Sequence, residues 1–82
     1  MQYRVELKPR AVKDLRAVAP AERTRLLDRI ERLENNLEGD VKRLTDFTTE
    51  FRLRVGNYRV LFEVDGQRVI VYRVLHRRDV YR

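Results

Sequence analysis

Residues 51–75 restrict the fold of this 82-residue chain more than any other stretch, because apolar and polar residues alternate there around two turn signals. Such alternation is typical of strands that bury one face. Gly56-Asn57 is suited to a two-residue hairpin turn, and Asp65-Gly66 is a strong hairpin signal. The sequence therefore predicts three successive antiparallel strands, over residues 51–55, 58–64 and 67–75.

The first of these turns determines where three arginines point. A two-residue turn places Arg54 opposite Arg59, and opposed residues in a hairpin project from the same side of the sheet. The apolar residues between them then occupy the other side, which the helices must cover. Like charges that face each other are unfavourable unless an anion separates them. We therefore predict an anion-binding arginine face, formed by Arg52, Arg54 and Arg59.

The same count, continued through the second turn, assigns sides to the last strand. It pairs Phe62 with Val69 and places Tyr72 and His76 on the arginine face. Arg73 falls on the core side by this parity. We interpret it as an edge or structural cation and exclude it from the site.

The first half of the chain predicts one strand and two helices. Alternation over residues 3–7 indicates a half-buried strand. Pro9 is suited to a first helical turn, and apolar residues follow it at helical spacing. A second helix begins at Pro20 and carries an apolar stripe to about Gly39, a residue type that commonly follows a helix end. Residues 40–49 are interpreted as a loop.

The predicted order is β-α-α-β-β-β, an α+β fold in which an antiparallel helix hairpin packs on one face of a small, mainly antiparallel sheet. The length corresponds to a single domain, residues 1–82, near the lower size limit for an independent core. The absence of cysteine fits a reducing cytoplasm. No apolar run is long enough to span a membrane, so we expect a cytoplasmic protein without a membrane partner.

The charge indicates an anionic partner. Lys+Arg number 19 against 13 Asp+Glu, a net charge of +6, and residues 51–82 hold eight of the arginines and only three acids. Arginine binds phosphate through its planar fork of donors, and basic proteins gain affinity for nucleic acid by releasing counterions. On composition alone, an ordinary solvated surface stays an open alternative, and the apolar Leu61 and Ile70 on the arginine face leave open a docking surface for another protein. With one His, no Cys and no acidic cluster on the basic face, we expect neither metal nor cofactor.

Three segments of the chain together carry a family resemblance. They span residues 3–15, 51–64 and 76–82, and the most specific parts are the central Arg-Val-Gly-x-Tyr-Arg-Val and the terminal His-Arg-x-Asp-Val-Tyr. This pattern resembles the RelE/ParE superfamily of toxins from type II toxin–antitoxin systems. The resemblance implies the same fold and a cognate acidic antitoxin that forms a hetero-oligomer with the toxin.

The resemblance also implies which residues act. RelE-like members use two basic residues on the first central strand, an arginine on the next strand, a basic group in the tail and a tyrosine near the C-terminus. In this chain these positions fall on Arg52, Arg54, Arg59, Arg77 (or Arg78) and Tyr81. Lysine can occupy the strand positions in the family, whereas arginine stays protonated, which leaves the general base unidentified.

RelE-like members cleave messenger RNA at the ribosome, and we expect metal-independent attack of a 2′-OH on the adjacent phosphodiester. Arg59 is the candidate for stabilising the charge that develops on phosphorus. His76, the single histidine, is the candidate acid–base group, and Tyr81 is a candidate for stacking on a base or orienting the 2′-OH. A surface histidine, a packed tyrosine and solvated tail arginines are the corresponding structural alternatives.

Two further functions stay open at this point. ParE-like members have the same fold but poison DNA gyrase and are not nucleases. An inactive member that only binds RNA or its antitoxin is the third possibility. The three arginines and the segment from His76 to Tyr81 favour the ribonuclease.

Overall fold

Five strands form one sheet in the computed structural model, which describes residues 1–45 and 49–80. The elements are β1 (Arg4–Leu7), α1 (Pro9–Arg16), α2 (Pro20–Arg32), β2 (Asp40–Arg43), β3 (Phe51–Val55), β4 (Tyr58–Asp65), β5 (Arg68–His76) and α3 (Arg77–Val80). The strand order is β1-β5-β4-β3-β2, with β1 parallel to β5 and the other neighbours antiparallel. The predicted α+β architecture is confirmed. In the described part of the chain, no helix is both long and apolar enough to cross a membrane.

Two prolines and one arginine define the helix hairpin. Pro9 and Pro20 stand at the first turn of α1 and of α2, where a missing backbone N–H removes no helical hydrogen bond. Arg23 of α2 closes the end of α1, because its guanidinium donates to three backbone carbonyls there at 2.8, 3.1 and 2.9 Å. The last carbonyls of a helix have no partner within it, so this side chain fixes the short connection.

The hydrophobic core lies between the helices and the sheet. Leu26 and Leu33 meet Leu53, Val60 and Phe62 there, and all five are at most 1% exposed. Burying a side chain of this size contributes roughly 1.5–3 kcal/mol. The apolar residues of β3 and β4 therefore hold the helices on one side of the sheet and direct the residues between them to the other side.

The structure corrects two predictions between residues 33 and 49. The second helix ends at Arg32, well before Gly39, because the chain turns away there and forms backbone hydrogen bonds from Tyr3 N–H to Glu34 and from Asn36 N–H to Met1. Leu37 takes a positive φ of 59° in this turn. Residues 40–43, expected in a loop, form β2 and extend the sheet beside β3.

The pairing of β4 with β5 also differs from the prediction. The turn is formed by Gly66-Gln67, so Phe62 pairs with Val71 and not with Val69. Moving a two-residue turn by one position changes the register by two, which leaves every side chain on its predicted side. A β-bulge beside Phe62 then makes Tyr72 an extra residue on β5. All later residues of β5 consequently point to the side opposite the predicted one.

Candidate nucleic-acid interface

The arginine face forms as predicted. In the β3–β4 ladder Arg54 is paired with Arg59, and Arg52 is paired with Leu61. The residues that alternate with them belong to the core beneath the helices. Strand alternation therefore directs the three arginines away from the helix hairpin.

Arg59 is the most enclosed member of this face. Arg59 is only 7% exposed, and its Nη1 donates hydrogen bonds to the carbonyl of Gly56 at 3.0 Å and to that of Tyr58 at 2.9 Å. A buried cation is tolerated only when hydrogen-bonded in this way. These bonds fix the orientation of the guanidinium before any ligand arrives.

Arg52 and Arg54 occupy the more open part of the face. Arg52 Nη1 donates to the backbone carbonyl of Asp40 at 3.0 Å and lies 3.5 Å from its carboxylate. Asp40 is exposed on the outer strand β2, where it pairs in register with Arg54. The Asp40 carboxylate of this pair is itself largely exposed, so the pair contributes little to stability.

The C-terminal segment is tied to the turn that carries the arginines. The backbone N–H of Arg77 donates to the carbonyl of Asn57 at 2.7 Å, which anchors the start of α3 beside that turn. Arg77 and Arg78 are both exposed. This segment therefore adds two cations at the Gly56-Asn57 end of the sheet, whereas the predicted site residue Tyr81 lies outside the described residues.

The prediction that His76 lies on the arginine face is wrong. His76 pairs with Tyr58 at the end of the β4–β5 ladder, and the two rings meet edge to face with their centroids 5.5 Å apart. Tyr58 packs against the core, so His76 belongs to the helix side of the sheet. The bulge at Tyr72 is the cause, since it reverses the parity of the residues that follow.

Asp14 of α1 is the structural residue that the sequence did not reveal. Its Oδ2 accepts hydrogen bonds from Arg73 Nε at 2.8 Å and from the backbone N–H of Val74 at 2.9 Å, and its Oδ1 accepts one from Arg73 Nη2 at 3.2 Å. β1 accompanies β5 only as far as Val71. The Asp14 carboxylate thus satisfies a backbone donor of β5 beyond the point where β1 has ended.

Arg73 is consequently held at the edge of the sheet. Its pairing with Leu61 places it on the arginine side, opposite to the prediction, but its interpretation as a structural cation agrees with the Asp14 ion pair. The hydrogen bond to Asp14 raises the pKa of Arg73 above its ordinary value. No local signal connects these residues, which are 59 positions apart in the sequence.

A groove of about 620 Å³ adjoins the arginine face and was also missed. Leu61 and Tyr72 form its apolar part, Glu63 lies inside it, and Lys8 and Arg10 come from the start of α1. Tyr72 was predicted on this side of the sheet, and the prediction is confirmed by its place in the groove. Burial, followed by the negative charge of Glu63, raises the pKa of Tyr72.

Metal-ligating side chains do not gather in the described residues. Among residues 1–45 and 49–80, no three His, Cys, Asp or Glu side chains lie close enough together to hold an ion.

The chain is similar in sequence to toxins of type II toxin–antitoxin systems. A family model described as "ParE toxin of type II toxin-antitoxin system, parDE" matches residues 5–81. The chain is 40% identical over 75 residues to Toxin RelE3 of Methanocaldococcus jannaschii, an alignment that covers 85% of each protein.

Two solved structures are similar over nearly the whole chain. One is the RelB–RelE antitoxin–toxin complex from Methanococcus jannaschii, with 38% identity, a TM-score of 0.75 and coverage of 92% of this chain and 93% of the matched chain. The other is the toxin–antitoxin complex RelBE2 from Mycobacterium tuberculosis, with 26% identity, a TM-score of 0.82 and coverage of 94% and 100%. The resemblance carried by the three sequence segments is confirmed.

Proposed function

We propose that this chain, which belongs to the family of ParE toxins of type II toxin–antitoxin systems, is an endoribonuclease that cleaves messenger RNA at the ribosome. The observation that carries the proposal is the arginine face. Three guanidinium groups project from one side of a rigid hairpin, and the most buried of them, Arg59, is held by two backbone carbonyls. Arginine is the side chain best suited to bidentate contact with phosphate.

Cleavage proceeds by attack of a 2′-OH on the adjacent phosphorus, giving a 2′,3′-cyclic phosphate and a 5′-OH end. Arg59 binds the scissile phosphate and stabilises the negative charge that grows on its oxygens, because donors that are already oriented need no rearrangement in the transition state. Arg52, Arg54 and Arg78 hold the neighbouring phosphates. Arg77 is the tail cation that assists at the scissile phosphate, and Tyr81 orients the 2′-OH or stacks on a base.

The proposed mechanism depends on positioning more than on acid–base groups. Arginine does not deprotonate near neutral pH, and His76 is left out because it lies on the helix side of the sheet beside Tyr58. Alignment of the 2′-OH with the scissile bond alone can supply a large part of a rate enhancement. The ribosome, which presents the message in one conformation, is the partner that supplies this alignment.

The test is to map the ends of transcripts in two settings. In the first the protein is induced in a bacterium, and in the second the purified protein is added to translating ribosomes. The wild type is expected to cut within translated frames and to leave 2′,3′-cyclic phosphates. Arg59→Ala is expected to slow cutting by about 10²–10³-fold, the usual cost of removing a donor to a developing oxyanion. Arg54→Ala, at an exposed position, separates loss of phosphate binding from loss of folding, and Arg29→Ala on the surface of α2 is the matched control.

The second candidate function is a toxin that binds and poisons DNA gyrase without nuclease activity. It is favoured by the description of the matching family model, which names ParE toxins. Intact messages, together with inhibition of purified gyrase and an induced DNA-damage response, would establish this alternative and exclude the ribonuclease.

The proposed protein partner is an acidic antitoxin that silences the toxin in a hetero-oligomer. The net charge of +6 favours an acidic partner, and two similar solved structures are toxin–antitoxin complexes. Co-purification of a small acidic protein that abolishes RNA cleavage would test this part of the proposal.

A further inference from the structure

The groove beside the arginine face is continuous with it. Leu61, in the groove, lies opposite Arg52 on β3 and two residues along β4 from Arg59. Two residues of a strand span about 6.6 Å. When the phosphate of a nucleotide contacts these arginines, the base of that nucleotide or of the next one can therefore reach the groove.

The groove combines the features that bind a base. Tyr72 is partly buried and contributes a ring, and Lys8 Nζ lies 5.9 Å from the centre of that ring. Lys8 and Arg10 are exposed at the start of α1. An aromatic surface beside cations that follow a phosphate backbone is the arrangement by which proteins hold single-stranded nucleic acid.

Glu63 makes the groove selective. Among the residues that the structure describes, no Lys or Arg nitrogen forms a salt bridge with its carboxylate, and its neighbour in the groove is the Tyr72 hydroxyl, whose pKa is raised by burial and by this carboxylate. An ionised carboxylate only accepts hydrogen bonds. It therefore favours a ligand that presents N–H groups and disfavours one that presents carbonyl or carboxylate oxygens.

We infer that this groove is a base-recognition subsite, in which Tyr72 stacks on an RNA base and Glu63 accepts a hydrogen bond from the amino group of that base. The inference rests on the proposed function, since it concerns the nucleotide adjoining the phosphate held by the arginine face. Adenine, cytosine and guanine each carry an exocyclic amino group, whereas uracil carries carbonyl oxygens in its place. The N3–H donor of uracil lies between two carbonyl oxygens that a carboxylate repels, so the subsite selects against uracil.

An acidic antitoxin segment suits the groove less well. Its carboxylates would meet Glu63, whereas an RNA base brings donors and leaves its phosphates to Lys8, Arg10 and the arginine face. The hydroxyl of Thr49, which also lines the groove, is buried and has no hydrogen-bond partner within residues 1–45 and 49–80. A polar ligand edge would satisfy it, because a buried hydroxyl without a partner is unfavourable.

The test is the affinity of the purified protein for RNA pentamers that differ only in the central base and carry 2′-O-methyl groups to prevent cleavage. The central residues are adenosine, uridine and purine ribonucleoside, which lacks only the 6-amino group of adenosine. The wild type is expected to bind the adenosine pentamer about 5-fold or more tightly than the other two, as for a specific hydrogen bond to a base edge. Glu63→Gln is expected to abolish or reverse this preference, and Glu31→Gln on the surface of α2 to retain it.

Tyr72→Leu provides a second, independent measurement. Loss of stacking is expected to weaken binding of all three pentamers by about 5-fold or more, without changing their ratio. Equal affinities of the wild type for all pentamers, or a preference that survives Glu63→Gln, would overturn the inference. So would variants that bind every pentamer normally but lose affinity for an acidic amphipathic peptide, because the groove would then bind protein.

The two proposals fail in different ways. A wild type that selects bases through Glu63 but cuts no message would refute the ribonuclease and retain the subsite. A wild type that cuts message, with a pattern of cut sites unchanged by Glu63→Gln and Tyr72→Leu, would retain the ribonuclease and refute the subsite.

Discussion

Replacing Asp14 by alanine tests the closure of the sheet edge by α1. The substitution leaves the backbone N–H of Val74 and the guanidinium of Arg73 without their acceptor. An orphaned, partly buried donor costs about 1–3 kcal/mol. The Arg73 ion pair is partly exposed, so its own contribution is only roughly 0.2–1 kcal/mol. The expected loss in the free energy of unfolding is therefore about 2 kcal/mol.

A loss of this size is large for so small a domain. At 0.05–0.15 kcal/mol per residue, the chain has a total stability of about 4–12 kcal/mol. A change of about 2 kcal/mol lowers the melting temperature by roughly 8–16 °C at this length. Urea denaturation followed by circular dichroism measures the change directly, and a constant slope with denaturant shows that only stability has changed.

Two further variants make the result interpretable. Asp28→Ala removes a carboxylate that pairs with arginines on the exposed side of α2, and we expect a loss of at most about 0.5 kcal/mol. Asp14→Asn keeps an oxygen that can accept from Val74 N–H, and it should lose less than Asp14→Ala. If Asp14→Ala unfolds at the same urea concentration as Asp28→Ala, the carboxylate does not close the edge and the reasoning is refuted.

Three other perturbations have definite expected outcomes. Gly39→Ala should destabilise the fold by at least about 1–2 kcal/mol in thermal unfolding, because Gly39 has a φ of +135° and a Cβ there would lie 2.7 Å from Leu53 Cδ1. Arg23→Ala should lower the free energy of unfolding by about 1–3 kcal/mol in urea denaturation, since carbonyls at the end of α1 lose a charged donor; an unchanged urea midpoint would show that water replaces it. Tyr72 should ionise above pH 10.0 in an absorbance titration, and Glu63→Gln should lower that pKa. Because the pKa is raised only in the folded state, the contribution of Tyr72 to stability is complete below about pH 10 and is lost as the pH rises through the folded pKa.

The arginine face could be predicted from the sequence because its determinants are local. A two-residue turn at Gly56-Asn57 fixes the register of β3 and β4, and the register fixes which side chains share a face. Arg52, Arg54 and Arg59 all lie within four residues of that turn. No distant contact is needed to place them.

The position of His76 could not be predicted in the same way because it depends on an interruption of the ladder. No glycine or proline marks the bulge at Tyr72, and the residues on either side of it continue the strand pattern. Near this point β1 ends, and the carboxylate of Asp14 accepts a hydrogen bond from the backbone N–H of Val74 in β5. That arrangement is decided by a helix from the other end of the sequence, so local patterns do not contain it.

The residue at which α2 ends could not be predicted from the sequence pattern either. The apolar stripe of α2 continues to Leu37, which does pack against the core, although the helix stops at Arg32. Backbone hydrogen bonds that join Met1 to Asn36 and Tyr3 to Glu34 hold the chain in a turn before the stripe is complete. A periodic pattern therefore predicted which residues are buried but not the conformation that buries them.

The parallel pairing of β1 with β5 has a consequence for how this protein is made. Arg4 pairs with Arg68 in that ladder, so the contact joins two distant positions, of which Arg4 emerges from the ribosome well before Arg68. Contacts between distant parts of a chain form late in folding. A nascent chain that has not yet been extended through β5 lacks both this pairing and the last of the four antiparallel strands. The five-stranded sheet can therefore be completed only after β5 has left the ribosome.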